Sequence, residues 1–111
     1  MQPQKPQVKP VSALLLEAAQ YIREHGHVKG SLHETDGRVC VVGAINMVHC
    51  GRAYSLCDRA ANENNFAARR AMRDFLGLTE DYNLVSWNNA LERTADEVIA
   101  ALEGAACATA R

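Results

Sequence analysis

The feature that most constrains this chain is its last apolar segment. Ala95, Val98, Ile99, Leu102 and Ala106 recur at the spacing of one helical face, directly behind Thr94-Ala95-Asp96-Glu97. That tetrapeptide has the capping-box form: a Thr hydroxyl accepts from the third helical N–H, and the Glu reaches back to the N–H of the cap. Asp96 and Glu97 also suit the positive end of the helix dipole. The stripe behind them has to be buried, and the rest of the chain must cover it.

The cover reads as more helix. Leu14, Leu15, Ala18, Ala19 and Ile22 share one face of a helix expected over 12–25, with Ser12 as N-cap and Gly26 as the stop. A second helix runs from Val41 or Val42 through Ala44, Ile45, Met47 and Val48 to Cys50-Gly51. Its Gly43-Ala44 pair is narrow enough for another backbone to approach closely. A third, over 58–76, takes its apolar side from Ala60, Ala61, Phe66, Ala67, Ala71, Met72, Phe75 and Leu76 and stops at Gly77. Asn62, Asn64 and Asn65 are poor interior helix formers and allow a break within it. A polar connector, Thr79 to Asn83, then leads to Leu84-Val85-Ser86-Trp87-Asn88-Asn89.

One segment reads differently. Asp36-Gly37 is a tight-turn signal between short runs with β-branched residues, which predicts a small β-hairpin with arms near 28–33 and 38–41. Such a hairpin is marginal alone and must pack on the helices. With 48% hydrophobic residues the 111-residue chain can build a core without disulfides or metals, and with 5% aromatics that core is Leu, Val, Ile and Ala. The fold class predicted is mainly α: about four helices with one small β-hairpin near residues 28–41, as a single compact domain over 11–107. Residues 1–10 hold all three prolines and are expected to be a disordered leader, with 108–111 a short tail.

The leader has no apolar run, and no stretch approaches the ~18–20 apolar residues of a membrane span, so a cytoplasmic protein with reduced cysteines is expected. The net charge of −1 argues against a nucleic-acid coat or a polybasic anchor. Charge is uneven: residues 1–78 carry ten basic and seven acidic side chains, whereas 79–111 carry two and six. An acidic C-terminal segment on a mildly basic body could orient a partner, but the imbalance is too weak to name one.

Three clusters carry chemistry. Cys40 stands where a hairpin arm feeds a helix, a position that lowers a thiol pKa. With a base from His25, His27, His33 or His49 and Asn88 as orienter it would be a nucleophile; the plainer reading is a small buried hydrophobe between Val39 and Val41. The same Cys and His residues, with Cys50, Cys57 and Cys107, have the ligand types for zinc, but their spacing matches no finger or knuckle, so neither a metal nor a cofactor is assigned. Trp87, Asn88 and Asn89 form either a small polar pocket with an aromatic wall or a core plug with turn-bonding amides. Arg69, Arg70 and Arg73 make a basic patch able to face a phosphate or carboxylate, set against the plainer reading of a solvated helix face.

Gly26, Gly30, Asp36-Gly37-Arg38-x-Cys40-x-x-Gly43-Ala44-Ile45 and Trp87-Asn88-Asn89 with Arg93-Thr94-x-x-Glu97-Val98 together resemble a family of small actinobacterial and actinophage proteins of unknown function. The resemblance spans about residues 12–106. That family usually has Trp where this chain has His27, and often Asp where it has Asn89. It implies a bacterial or phage setting and no particular reaction. The function expected is a non-enzymatic interaction protein acting through a protein surface or self-association in a bacterial host cell. A Cys40 hydrolase or transferase is one alternative, and capture of a small anionic ligand or nucleotide by Arg69, Arg70 and Arg73 is the other.

Overall fold

Apolar side chains every third or fourth residue bury themselves by wrapping one helix against another. In this computed structural model, which describes residues 10–51 and 59–110, five helices do so: α1 (Val11–His25), α2 (Val41–Cys50), α3 (Arg59–Leu76), α4 (Asp81–Asn88) and α5 (Ala95–Thr109). Most of the expected leader and the expected start of the third helix at Asp58 lie outside the described residues.

The main contact is α1 against α5. Leu14, Leu15, Ala18, Ala19 and Ile22 are buried from α1, and Val98, Ile99, Ala101, Leu102, Ala105 and Ala106 from α5. The alanines let the two backbones approach closely, while each fully buried Leu or Ile contributes roughly 1.5–3 kcal/mol of hydrophobic stabilisation. The α5 cap forms as its sequence dictates. Thr94 Oγ1 accepts from Glu97 N–H at 3.1 Å and Glu97 Oε1 accepts from Thr94 N–H at 2.9 Å. At α1 the helix starts at Val11, not Ser12, because Pro10 takes the cap position and its carbonyl accepts from Leu14 N–H.

Three expectations are corrected. First, the described residues form five helices rather than four. The connector closes into α4 because Asn83 Oδ1 accepts from Glu80 N–H at 3.1 Å and from the Thr79 hydroxyl at 3.2 Å, holding the first turn of a helix.

Second, no β-hairpin forms among the described residues; Val39 makes only single-residue bridges, to His27 on one side and His33 on the other. The Asp36-Gly37 turn is present, with Gly37 N–H on the Glu34 carbonyl. Its would-be first arm is drawn elsewhere: Lys29 and Gly30 bond to the end of α4, so residues 29–31 leave 38–41, and only Leu32, through its carbonyl on Cys40 N–H, and Glu34 rejoin them.

Third, α3 is unbroken through Asn64 and Asn65, and its buried line is Asn65, Ala68 and Met72. Phe66, Ala67 and Phe75 are exposed instead. Asn65 can lie inside because Asn46 of α2 meets it: Asn65 Nδ2 donates to Asn46 Oδ1 at 2.8 Å, with His49 Nδ1 at 3.4 Å.

Gly43 does admit a backbone, though it is a loop and not a helix. A Cβ there would overlap the Leu32 carbonyl, which accepts from Cys40 N–H at 3.1 Å.

Candidate functional site

Asn88, at the last turn of α4, has no exposed surface and joins three parts of the chain. Its Oδ1 accepts from Val41 N–H at 3.0 Å, the first N–H of α2, and lies 2.6 Å from His27 Nε2. Its Nδ2 donates to the Val28 carbonyl at 3.2 Å. The two backbone partners set the amide orientation, so His27 must carry its proton on Nε2. Asn89 extends the clamp: its Oδ1 accepts from Gly30 N–H at 2.9 Å and from Asn88 Nδ2 at 3.0 Å. Both neighbours are donors, so the position asks only for an acceptor oxygen, which an aspartate supplies as well as an asparagine.

Cys40 occupies the N-cap of α2 beside this clamp, and its Sγ accepts from Gly43 N–H at 3.3 Å. It is buried, and burial pushes its thiol up from the ordinary value against the backbone N–H groups that favour thiolate. The structure thus brings Cys40, His27 and Asn88 to one end of α2. The first N–H groups of that helix are already taken by Asn88 and by Cys40 itself. Among the described residues no hydrogen bond joins the thiol to an imidazole. Cys107, by contrast, is exposed.

The arginine cluster divides. Arg69 and Arg73 both face Asp81 at the start of α4, at 3.1 and 3.3 Å, and Arg73 also donates to the Thr79 carbonyl at 2.8 Å. Arg69 packs over the Phe66 ring, and its desolvation lowers its pKa despite the attraction of Asp81. Arg70 stands apart, exposed, 4.0 Å from Asp74. The three guanidinium groups therefore present no common face: two are used to hold α4 against α3.

Trp87 is half-buried against the core and is covered by Arg93, whose guanidinium carbon lies 4.1 Å from the ring centroid. Arg93 Nε donates to the Trp87 carbonyl at 2.9 Å. Beyond it the chain turns, and the turn is held from both sides. Lys29 Nζ donates to the Ala90 and Leu91 carbonyls at 2.6 and 3.0 Å, Arg93 N–H donates to the Ala90 carbonyl at 2.9 Å, and the Thr94 cap follows. A lysine on those carbonyls also suits the negative end of the α4 dipole.

On this fixed turn Leu91 is 94% exposed. Beside it an open hollow of about 480 Å³ is lined by Ala90, Leu91, Glu92, Arg93 and Glu97. On α4, Tyr82 (69% exposed) and Val85 are also exposed. Sequence reasoning marked Trp87, Asn88 and Asn89 but not Leu91, Lys29 or the Asn46–Asn65 pair. Leu91 was detectable only as an isolated leucine among polar residues, and the partners of the other three are distant in sequence.

The arrangement defines a small helical protein whose buried polar side chains fasten its loops and whose most exposed large apolar side chain, among the described residues, sits on a braced turn. The chain belongs to DUF6197, a family of unknown function, whose model matches residues 6–108. No curated protein and no solved structure matches it.

Proposed function

We propose that this protein is an interaction protein that takes a protein partner on the surface formed by α4, the α4–α5 turn and the start of α5. The observation that carries the reading is Leu91: a large apolar side chain left in water on a turn whose backbone is held by Lys29, Arg93 and the Thr94 cap. An anchor already fixed in place loses little conformational entropy on binding, and interface energy concentrates in such side chains. Tyr82 and Val85 are further exposed apolar side chains, on α4 itself. The setting we assign is the cytoplasm of a bacterial host, on the resemblance to an actinobacterial and actinophage family. Self-association through the same surface is the second form of the reading.

Photo-crosslinking tests it directly. Leu91→benzoylphenylalanine in the full-length chain, expressed in a bacterial host, is compared with the same probe at Glu24, an exposed position on α1. A defined adduct from position 91 that is lost when Tyr82→Ser and Val85→Ser are added supports the reading. An adduct of twice the chain's mass assigns self-association. Adducts no stronger at 91 than at 24 would falsify it.

A further inference from the structure

We infer that the partner is a protein presenting basic side chains around an apolar contact, an inference that rests on the surface proposed above. The hollow beside Leu91 is shared by Glu92 and Glu97, and Asp96 is exposed on the first turn of α5. Glu97 is held ionised to lower pH than an ordinary carboxylate by the Thr94 backbone N–H. The local cations are Arg93, already engaged with Glu97 at 3.5 Å and stacked on Trp87, and Lys29, set on the Ala90 and Leu91 carbonyls. Glu80, Glu92 and Asp96 have no cation against them among the described residues.

The same pattern holds across the described surface. Lys29 is set on carbonyls, Arg23 on Glu103, Arg38 on Asp36, and Arg69 and Arg73 on Asp81. Among the described residues Arg70 is the one largely exposed cation with no carboxylate closer than 4.0 Å, and the surface around Leu91 keeps Glu92 and Asp96 unpaired. From its described residues, a second copy of the chain would offer only Arg70 without breaking a closer ion pair or freeing Lys29 from its carbonyls. Nucleic acid and anionic lipid would meet like charge. A protein surface or helix with Leu, Ile or Phe flanked by Lys or Arg satisfies both demands: it covers Leu91 and places cations at Glu92, Asp96 and Glu97.

Selection of a displayed random peptide library on the full-length protein, with counter-selection on Leu91→Asp, tests the inference. Leu91 is almost wholly exposed, so the variant folds, which circular dichroism checks; Leu91→Ser serves as a second variant. Enriched sequences should place Lys or Arg beside apolar residues and bind about tenfold or more weakly to either variant. Glu92→Gln with Asp96→Asn should weaken them several-fold, as should raising salt from about 0.05 to 0.5 M. Leu91-dependent sequences that are neutral or acidic, or that ignore both salt and Glu92→Gln, overturn the basic partner while leaving the surface in place. If no sequence depends on Leu91, the surface itself falls, and this inference with it.

Discussion

Replacing Asn88 with Ala leaves three groups without their partner: His27 Nε2, the Val41 N–H and the Val28 carbonyl. Buried groups so orphaned cost about 1–3 kcal/mol each, so a loss of about 3 kcal/mol or more is expected in urea unfolding. Asn88→Asp should cost as much, since it sets a carboxylate oxygen against the Val28 carbonyl. Asn89→Asp should stay within about 0.5 kcal/mol of the parent, because both groups it accepts from are donors. Equal losses at 88 and 89 would refute the clamp. At Cys40 the raised thiol pKa predicts slow alkylation: mass mapping should find Cys107 modified first and Cys40 only on unfolding. The folded pKa lies above the unfolded one. That contribution to stability is therefore full below the unfolded thiol pKa and disappears as pH rises through the folded one. Cys40→Ala should flatten this alkaline loss. The Trp87-Asn88-Asn89 cluster was legible as unusual from the sequence; which of its residues is the hub was not, because His27, Val28 and Val41 are some fifty to sixty residues away along the chain.

At the scale of elements, two glycines make opposite predictions. A Cβ at Gly43 would meet the Leu32 carbonyl, a backbone atom held by Cys40 N–H, so Gly43→Ala should cost about 1–3 kcal/mol or abolish folding. At Gly104 the obstacle is the far end of the Phe75 ring, which is half-exposed and able to swing aside. Gly104→Ala should therefore be stabilising by up to about 1 kcal/mol once Phe75→Ala removes the ring, from helix propensity alone, and less favourable in the parent. Thermal unfolding of the two pairs decides both. The Gly43-Ala44 pattern announced a close approach; only the packed chain shows that a loop carbonyl makes it. The Asp36-Gly37 turn was likewise legible. The hairpin failed because pairing between its arms had to compete with Lys29 and Gly30 binding the end of α4, a contact that local sequence does not encode.

For the molecule as a whole, α4 is attached to α3 through Asp81 between Arg69 and Arg73. Asp81→Asn leaves two partly buried guanidinium groups facing each other and should cost about 1–3 kcal/mol, with faster amide exchange in α4 than in α1 or α5. Uniform exchange across the helices would argue that α4 docks by its apolar contacts alone. Because the α4–α5 turn carries Leu91, loosening α4 should also weaken whatever binds there.

The sequence by itself determined that the chain is helical, that α1 and α5 offer alanine-rich apolar faces, and where α5 begins. These are short-range properties: the 3.6-residue period and a cap made within four residues. The tertiary structure alone decided that the connector's helix, capped locally by Asn83, docks on α3, that the hairpin arms part, that Asn65 goes inside while Phe66 stays out, and that Leu91 is left in water. Each depends on a partner distant in the chain: the two arginines on Asp81, α4 on Lys29, Asn46 on Asn65. A polar group is buried or an apolar one exposed according to what the fold sets beside it, and that is settled only when the helices meet.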